Sequence, residues 1–584
     1  MGRGFTRVLP DALVAVVVLV LTWPMWTTAG YGLARDMVFS PRAPWTLDAI
    51  GMGSSLPRAV PLDGVLAAAT SVVDGAVVFR VAVAGVLLAA GWGAHRLLAV
   101  VVQEVSPAAR CLVGVAAVWN PYVVERLALG QWALLATYAA MWWLLPVVRR
   151  VLAGERRAWW ASVCLILVAS LTPTGGALVL MVVVATLVVV VVHRDSIARA
   201  VRLLLVAVAA QLPWVLAGVL GAASATSDPL GVEVFAARAE RPGGVWPSLL
   251  TTGGVWSPFQ VPASLTSWGG HALTVLVVVV LLAGGARMAR REQALALAAV
   301  VGFVLAGLAH LPGGGDALAW AVEHVPGSGL LRDGQKWLLP YVVVVVSSAG
   351  IAVTRAERAL RRRDSDLGAL LVGAMALLPV VLVPDAAGRT WQALEPVTYP
   401  DDLTRAVAVL DDPDAVGEVV TLPWASYREF SWGNPVSAAD PLPRWTERPT
   451  VVSDALLTES GSVAGEDTRA REVETALART DVPLAESLAA ADVGWVLVYA
   501  DQPGAAELDT SGLTPVVDGS DVRLFRVPGA DREPESSVDS AGPVAVAAVA
   551  AVDAAWGVAL LGGLLGGLIV AVRARRPSRE VTDQ

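Results

Sequence analysis

Apolar residues run through this chain in long blocks, separated by short polar connections rich in arginine. Such blocks exceed one face of a soluble helix and approach the ~20 apolar residues that a bilayer asks of a spanning helix. The first begins near Leu13, behind Arg3 and Arg7. It has the charge pattern of a signal peptide, but no small-residue cleavage site follows, so it reads as an uncleaved first helix. Further spans are predicted at roughly 75–95, 107–120, 131–148, 158–172, 175–193, 201–220, 271–287, 293–310, 336–354, 367–384 and 544–571, about twelve in all. Those at 107–120 and 158–172 are short for the purpose.

Arginine placement tests this map. Alternate connections hold Arg96 and Arg110, then Arg149, Arg150, Arg156 and Arg157, then Arg194, Arg199 and Arg202. Arg287, Arg290 and Arg291 follow, then Arg355, Arg358, Arg361, Arg362 and Arg363, and Arg573, Arg575, Arg576 and Arg579 close the tail. All fall on the side of the N-terminus, which the positive-inside rule makes cytoplasmic, with both termini there. The membrane expected is the plasma membrane, and its other side receives the long connections 31–74, 120–130, 221–270, 311–335 and 385–543, where function is expected.

Composition sharpens the picture. Of 584 residues, 55% are hydrophobic and 16% charged, with mean hydropathy +0.62, which excludes disorder and an ordinary soluble domain. Residues 385–541 carry 29 Asp and Glu against 11 Arg, while the remainder is net positive by ten. A basic membrane part, 1–384, thus carries an acidic insert, and nucleic-acid binding is not expected. Residues 542–584 form the last span and a basic tail. Cys111 and Cys164 both lie in apolar runs, which excludes a disulfide framework or a cysteine-based zinc site. Lys336 is the one lysine among many arginines, as in a GC-rich genome.

The acidic insert 385–541 reads as a small extracytoplasmic α/β domain. Strands are predicted at 418–422 and 494–499, a hairpin at 516–527 around Asp518-Gly519, and a helix over 466–491. It has no histidine, glycine-rich phosphate loop or nucleophile elbow, so autonomous hydrolysis is not supported. Residues 528–543 read as an exposed linker.

Three clusters hold candidate chemistry. Asp36, flanked by Arg35 and Arg42 just beyond the first helix, is placed to take a proton from an acceptor hydroxyl. Partial burial would raise its pKa and the arginines would lower it; the bland alternative is a solvated carboxylate paired with Arg35 or Arg42. Asp48, Asp63 and Asp74 are weaker candidates. Second is the Pro-containing turn Asn120-Pro-Tyr122-Val-Val-Glu125-Arg126-Leu-Ala-Leu-Gly130-Gln131, in which Glu125 and Arg126 lie at membrane depth and need partners. They form either a bracing ion pair or part of a substrate loop. Third is Arg332-Asp333-Gly-Gln335-Lys336, whose two cations suit a lipid phosphate, unless they merely snorkel. His310, His324, Asp316 and Glu323 match no strong metal pattern, and His271 reads as structural. Trp45, Trp119, Trp132, Trp246, Trp256, Trp268, Trp320 and Trp337 read mostly as interfacial anchors, some able to stack on sugar rings.

An acid after the first helix, many spans and a C-terminal outer domain together resemble the GT-C superfamily of membrane glycosyltransferases. Asn120 to Trp132 looks like a segment of actinobacterial arabinofuranosyltransferase-related members, and Arg332-Asp-Gly-Gln-Lys336 is similar to their Arg-acidic-x-x-Lys segment. This resemblance implies a polyprenyl-phosphate sugar donor, an envelope glycan or glycolipid acceptor, Asp36 as base, and Arg35, Arg332 and Lys336 as the phosphate cations. The chain departs from the pattern in one respect: Met37 and Val38 stand where many members carry a second acid, which puts the metal dependence of such members in doubt here and leaves a divalent cation only weakly supported. The rival readings are a lipid or polysaccharide transporter, which would favour inverted repeats and broken helices, and a non-catalytic scaffold for envelope assembly.

Overall fold

The structure is a computed structural model; it describes residues 5–54, 57–221, 227–361, 375, 377–458, 461–530 and 542–574. Among these, six helices are long and apolar enough to cross a membrane: Gly75–Val101, Trp132–Leu152, Pro173–His193, Trp268–Arg291, Gly334–Leu360 and Pro543–Leu564. Ile197–Ala209 and Leu212–Leu220 would make a seventh crossing, bent by 46° where Pro213 cannot donate to the preceding turn. The chain is thus a polytopic helical membrane protein.

Twelve full crossings are not reproduced. Phe5–Leu21, Pro107–Val118, Arg156–Ala169 and Gln293–Ala306 are helical at predicted positions but hold 17, 12, 14 and 14 residues. At 1.5 Å per residue, 12 residues reach about 18 Å of a ~30 Å hydrocarbon core. Local punctuation ends these helices; Trp119-Asn120-Pro121, for example, closes one and opens another. Half of the predicted span 367–384 lies outside the described residues, and the described half holds the five-residue helix Leu378–Leu382; much of the linker 528–543 and the tail from 575 also lie outside them.

The helix ends sort into two groups. At one end arginines tie helix to helix: Arg149 pairs with Glu292 at 3.0 Å, Arg358 Nη2 donates to the Gln103 carbonyl at 2.7 Å, and Arg96 pairs with Asp11 at 3.0 Å. At the other, the Tyr31 hydroxyl donates to Asp74 at 3.1 Å, Trp119 Nε1 to the Val383 carbonyl at 2.9 Å, and the Tyr122 hydroxyl to the Lys336 carbonyl at 3.0 Å. This second end carries the candidate site.

The C-terminal domain is the expected α/β unit. Its five-stranded sheet runs Thr514–Asp518, Val522–Arg526, Val493–Tyr499, Glu418–Leu422, Thr450–Val451. The first two pairings are antiparallel and the last two parallel. Strand alternation builds a core on each face. Trp495, Leu497 and Tyr499 pack with Leu403, Val407 and Leu410 of Asp401–Leu410; Val496 and Val498 pack with Val473 and Leu488. The helix predicted over 466–491 is two, Thr468–Leu477 and Leu484–Ala490, the second opening directly behind Pro483.

This domain is docked through the first loop. Leu33 and Val38 lie in the same buried cluster as Leu403, Val419 and Trp495, a burial worth ~1.5–3 kcal/mol each. Tyr31 bridges Val397, and Arg35 bridges Ala438. Arg58 and Arg332 (3.1 Å) both pair with the buried Glu466, and Ser54 donates to Asp467 at 3.0 Å.

Burial alone would raise the Glu466 pKa, but Arg58 and Arg332 outweigh it and hold the carboxyl below its ordinary value. A depressed acid stabilises the folded state above its unfolded pKa and loses that contribution as pH falls through its folded pKa. Docking is therefore expected to loosen below about pH 4. Glu466→Gln is expected to cost about 2–3 kcal/mol at neutral pH and to flatten that acid limb. Thermal melts from pH 3 to 7 check this; an unchanged acid limb in Glu466→Gln would assign the loosening to other groups.

Candidate functional site

Asp36 stands in the two-residue turn of a hairpin, Leu33–Ala34 paired with Met37–Val38. Arg35 has φ +52°, the left-handed value that such turns favour at their first residue. A bulky residue there needs outside support. The Arg35 amide donates to the Ser437 carbonyl, its side chain bonds Ser437 Oγ, and its carbonyl accepts from Ala439. On the other side the hairpin rests on Gly130, whose φ is +75°. A Cβ at Gly130 would stand 2.5 Å from the Ala34 carbonyl and the Met37 amide, so only glycine fits.

Both carboxylate oxygens of Asp36 are held. Oδ1 accepts from the Tyr427 hydroxyl at 2.5 Å and Oδ2 from Gln131 Nε2 at 2.9 Å. Asp36 itself is exposed, so further lone pairs remain open to a ligand. It is thus paired with neither Arg35 nor Arg42 among the described ion pairs. Tyr427 comes from the C-terminal domain, on the strand Tyr427–Arg428. Its neighbour Arg428 points inward to Asp440 (2.8 Å), and Tyr499 donates to the same carboxylate at 2.7 Å, anchoring the strand. Burial and then the Asp36 charge push the Tyr427 pKa well up, so its hydroxyl stays a donor. Arg444, from the same domain, donates to the Asp36 carbonyl at 3.4 Å and pairs with Asp63 at 3.2 Å.

From Gln131 the network runs inward. Gln131 Oε1 accepts from Arg126 Nη1 at 2.8 Å. Arg126 grips Asp333 with two bonds, 2.6 and 2.7 Å, and Lys336 Nζ lies 3.6 Å from the same carboxylate. Tyr427, Asp36, Gln131, Arg126, Asp333 and Lys336 form one continuous polar chain. Burial would raise Asp333, but Arg126 and Lys336 outweigh it and keep it low, hence ionised.

Other predicted residues fall elsewhere. Glu125 does not pair with Arg126: neighbours on a helix do not face each other, and Arg126 is taken by Asp333. The fully buried Glu125 accepts from Gln335 Nε2 at 2.5 Å and meets Glu240 of the 221–270 connection. Burial, then the Glu240 carboxylate, hold it well above the ordinary acid value. Asn120 is a helix cap, accepting from the Val123 amide at 3.1 Å, and Tyr122 is buried beneath Arg126. Arg332 points away from Lys336 to Glu466 and lies over Phe235, so the three-charge cluster of the sequence is split. Asp48 and Asp63 line a neighbouring recess in the first loop, and Asp74 caps the helix Gly75–Val101.

Among the described residues no group of three or more His, Cys, Asp and Glu could hold a metal ion. His310 donates to the Ala237 carbonyl at 2.7 Å, His324 stacks on Trp320, and His271 bonds its own helix start. Trp119, Trp132 and Trp337 prove buried rather than interfacial, whereas Trp45, Trp246, Trp268 and Trp320 are exposed. Sequence reasoning missed Tyr427, Ser437, Arg444, Glu240 and Glu466, because nothing local marks a residue whose partner is more than a hundred positions away.

No protein-family model and no curated protein matches the sequence. Among solved structures the chain is similar to the arabinofuranosyltransferase AftD from Mycobacteria, with TM-score 0.57 and 16% identity over 91% of this chain and 40% of that one. A mutant AftD gives TM-score 0.52 and 15% identity over 90% and 42%. ArnT from Cupriavidus metallidurans, bound to undecaprenyl phosphate, overlays at TM-score 0.41 and 14% identity, covering 91% of this chain and 100% of ArnT. The AftD overlay shows that this chain shares its fold with part of AftD, spanning 40% of that protein's length.

Asp333→Asn is expected to leave the buried Arg126 charge uncompensated, at a cost of about 3–5 kcal/mol. The double variant Arg126→Met/Asp333→Leu should recover much of it. Thermal unfolding of the detergent-purified chain decides; a single variant as stable as wild type would deny the pair its bracing role.

Proposed function

We propose that this chain is an integral membrane glycosyltransferase. It would transfer a sugar from a polyprenyl-phosphate donor to an envelope glycan or glycolipid on the outer face of the plasma membrane. The observation that carries this reading is the chain of hydrogen bonds, closed by the Asp333–Lys336 ion pair, that holds an accessible carboxylate, Asp36, and an ammonium, Lys336, in one fixed frame. The AftD-like fold supports it, and the transferase activity named for AftD is the reaction class proposed.

Asp36 takes the proton of the acceptor hydroxyl as that oxygen attacks the anomeric carbon. The bond from that carbon to the phosphate oxygen breaks, and its electron pair leaves with polyprenyl phosphate. Lys336 faces the charge that develops on the leaving phosphate. Arg332 and Arg35 are auxiliary cations, since Glu466 and Ser437 already engage them in this structure. Tyr427 and Gln131 aim the carboxylate without touching substrate. Residues 1–384 form the membrane domain and 385–541 the extracytoplasmic domain, both termini are cytoplasmic, and no resident metal is proposed.

Asp36→Asn is expected to lower transfer by about 10²–10⁴-fold and Lys336→Met by a similar factor, while Tyr427→Phe costs about tenfold and leaves a measurable rate. Strains lacking the gene, restored with wild type, or restored with Asp36→Asn at equal protein level check this. Envelope glycans and polyprenyl-phosphate sugars are quantified in each. Full restoration by Asp36→Asn would remove Asp36 as base and favour a scaffold or transporter.

A further inference from the structure

Opposite the candidate site, at the arginine-rich end, lies a recess of about 330 Å³ lined by Leu282, Ala283, Ala286, Arg287, Arg290, Arg291 and Arg355. It owes its shape to a π-helical turn, Leu281–Gly285, between Trp268–Val280 and Ala286–Arg291. Turns of this kind widen a helix locally and recur at functional sites. The turn is pressed against Leu339–Arg361 at Gly284, where a Cβ would stand 2.2 Å from the Ser348 carbonyl. That approach brings Arg355, two helical turns beyond Ser348, to the recess, and Arg355 Nη1 donates to the Ala283 carbonyl at 2.6 Å.

Charge is the unusual feature. Arg287, Arg290 and Arg291 share one helical face, with a like-charge pair four residues apart, an arrangement that destabilises a helix. Among the described residues no carboxylate pairs with any of the four arginines. The nearby Glu292 is taken by Arg149 at 3.0 Å. Two of the guanidinium groups are held by backbone rather than left to splay: Arg355 as above, and Arg290, whose Nε donates to the Ala286 carbonyl at 3.1 Å. The rim is apolar. Leu282 is 80% exposed, and Val278 and Val279 on the adjoining turn of an apolar helix are also exposed. Cations alone would fit any polyanion. Preorganised cations beside an apolar rim fit a ligand with a phosphate at one end and hydrocarbon at the other.

We infer that this recess binds a phosphate-bearing anion, supplied as the headgroup of an anionic phospholipid. The guanidinium forks take the phosphate oxygens, and the acyl chains lie along Val278, Val279 and Leu282. This site is independent of the transferase reading, since none of its residues belongs to the Asp36–Lys336 chain.

The test uses the full chain purified in detergent, with lipid retention read by native mass spectrometry. Mixed micelles hold phosphatidylglycerol, cardiolipin or phosphatidylcholine. Wild type is expected to retain the anionic lipids selectively. Arg287→Gln/Arg290→Gln should lose roughly thirtyfold in retention, and Arg355→Gln should lose it as well. Arg156→Gln/Arg157→Gln, two exposed arginines of the same end outside the recess, should retain lipid as wild type does. Equal losses in the recess and control variants would overturn the site in favour of a diffuse basic face. Displacement of lipid by inorganic pyrophosphate with equal affinity would support the phosphate chemistry and overturn lipid as its source. Should Arg355→Gln fail to fold, Arg287→Gln/Arg290→Gln carries the test alone.

Discussion

The fully buried guanidinium of Arg126 constrains everything around the candidate site. A charge removed from water must find compensation at once, and Arg126 finds it in three places. Asp333 neutralises it through two parallel bonds, Gln131 accepts a further bond, and Tyr122 lies against its face. These demands fix the start of Gly334–Leu360 against the turn after Pro121–Ala128. They also fix Gln131, and through it one oxygen of Asp36. The cost of burying the charge is thereby converted into a defined position for an accessible carboxylate and an ammonium.

The C-terminal domain is part of this arrangement rather than an appendage. Its sheet buries Leu33 and Val38, its short strand Ala438–Ala439 supports the Arg35–Asp36 turn, and Tyr427 aims the other carboxylate oxygen. The strand alternates so that Arg428 anchors inward while Tyr427 reaches outward. The domain thus supplies orientation to the site, while the first loop, the short helix Pro121–Ala128 and the start of Gly334–Leu360 supply its charged groups.

Much of this was legible in the sequence, and the parts that were not share a physical cause. Hydrophobic blocks located helices at the predicted positions that the structure describes, because burial in lipid leaves a long and unambiguous signal. They overstated length wherever Pro or Asn closed a helix early, as at Asn120-Pro121. Strand and turn signals placed strands at 418–422 and 494–499, against the observed Glu418–Leu422 and Val493–Tyr499, and the hairpin near Asp518. Asp36, Arg126, Asp333 and Lys336 stood out because charge beside apolar runs is costly and therefore conspicuous, and Gln131 because it belongs to the same turn as Arg126. Their partners were not legible. Glu125 beside Arg126 suggested an ion pair, but helical geometry sends them to different neighbours. Tyr427 and Glu466 are ordinary residues in an acidic domain, and only the folded chain shows what they touch.

The Asp36–Tyr427 bond joins positions 391 residues apart, and that distance orders events during synthesis. The ribosome delivers the first loop long before it delivers the strand that braces it. In the interval the Arg35–Asp36 turn has Gly130 beneath it but no Ser437 or Ala439 above. A chain truncated ahead of residue 427 would hold most of its membrane helices and still present a carboxylate with one oxygen unheld. Site maturation is thereby tied to completion of the C-terminal domain, so unfinished chains in the membrane lack the ordered carboxylate of the complete one.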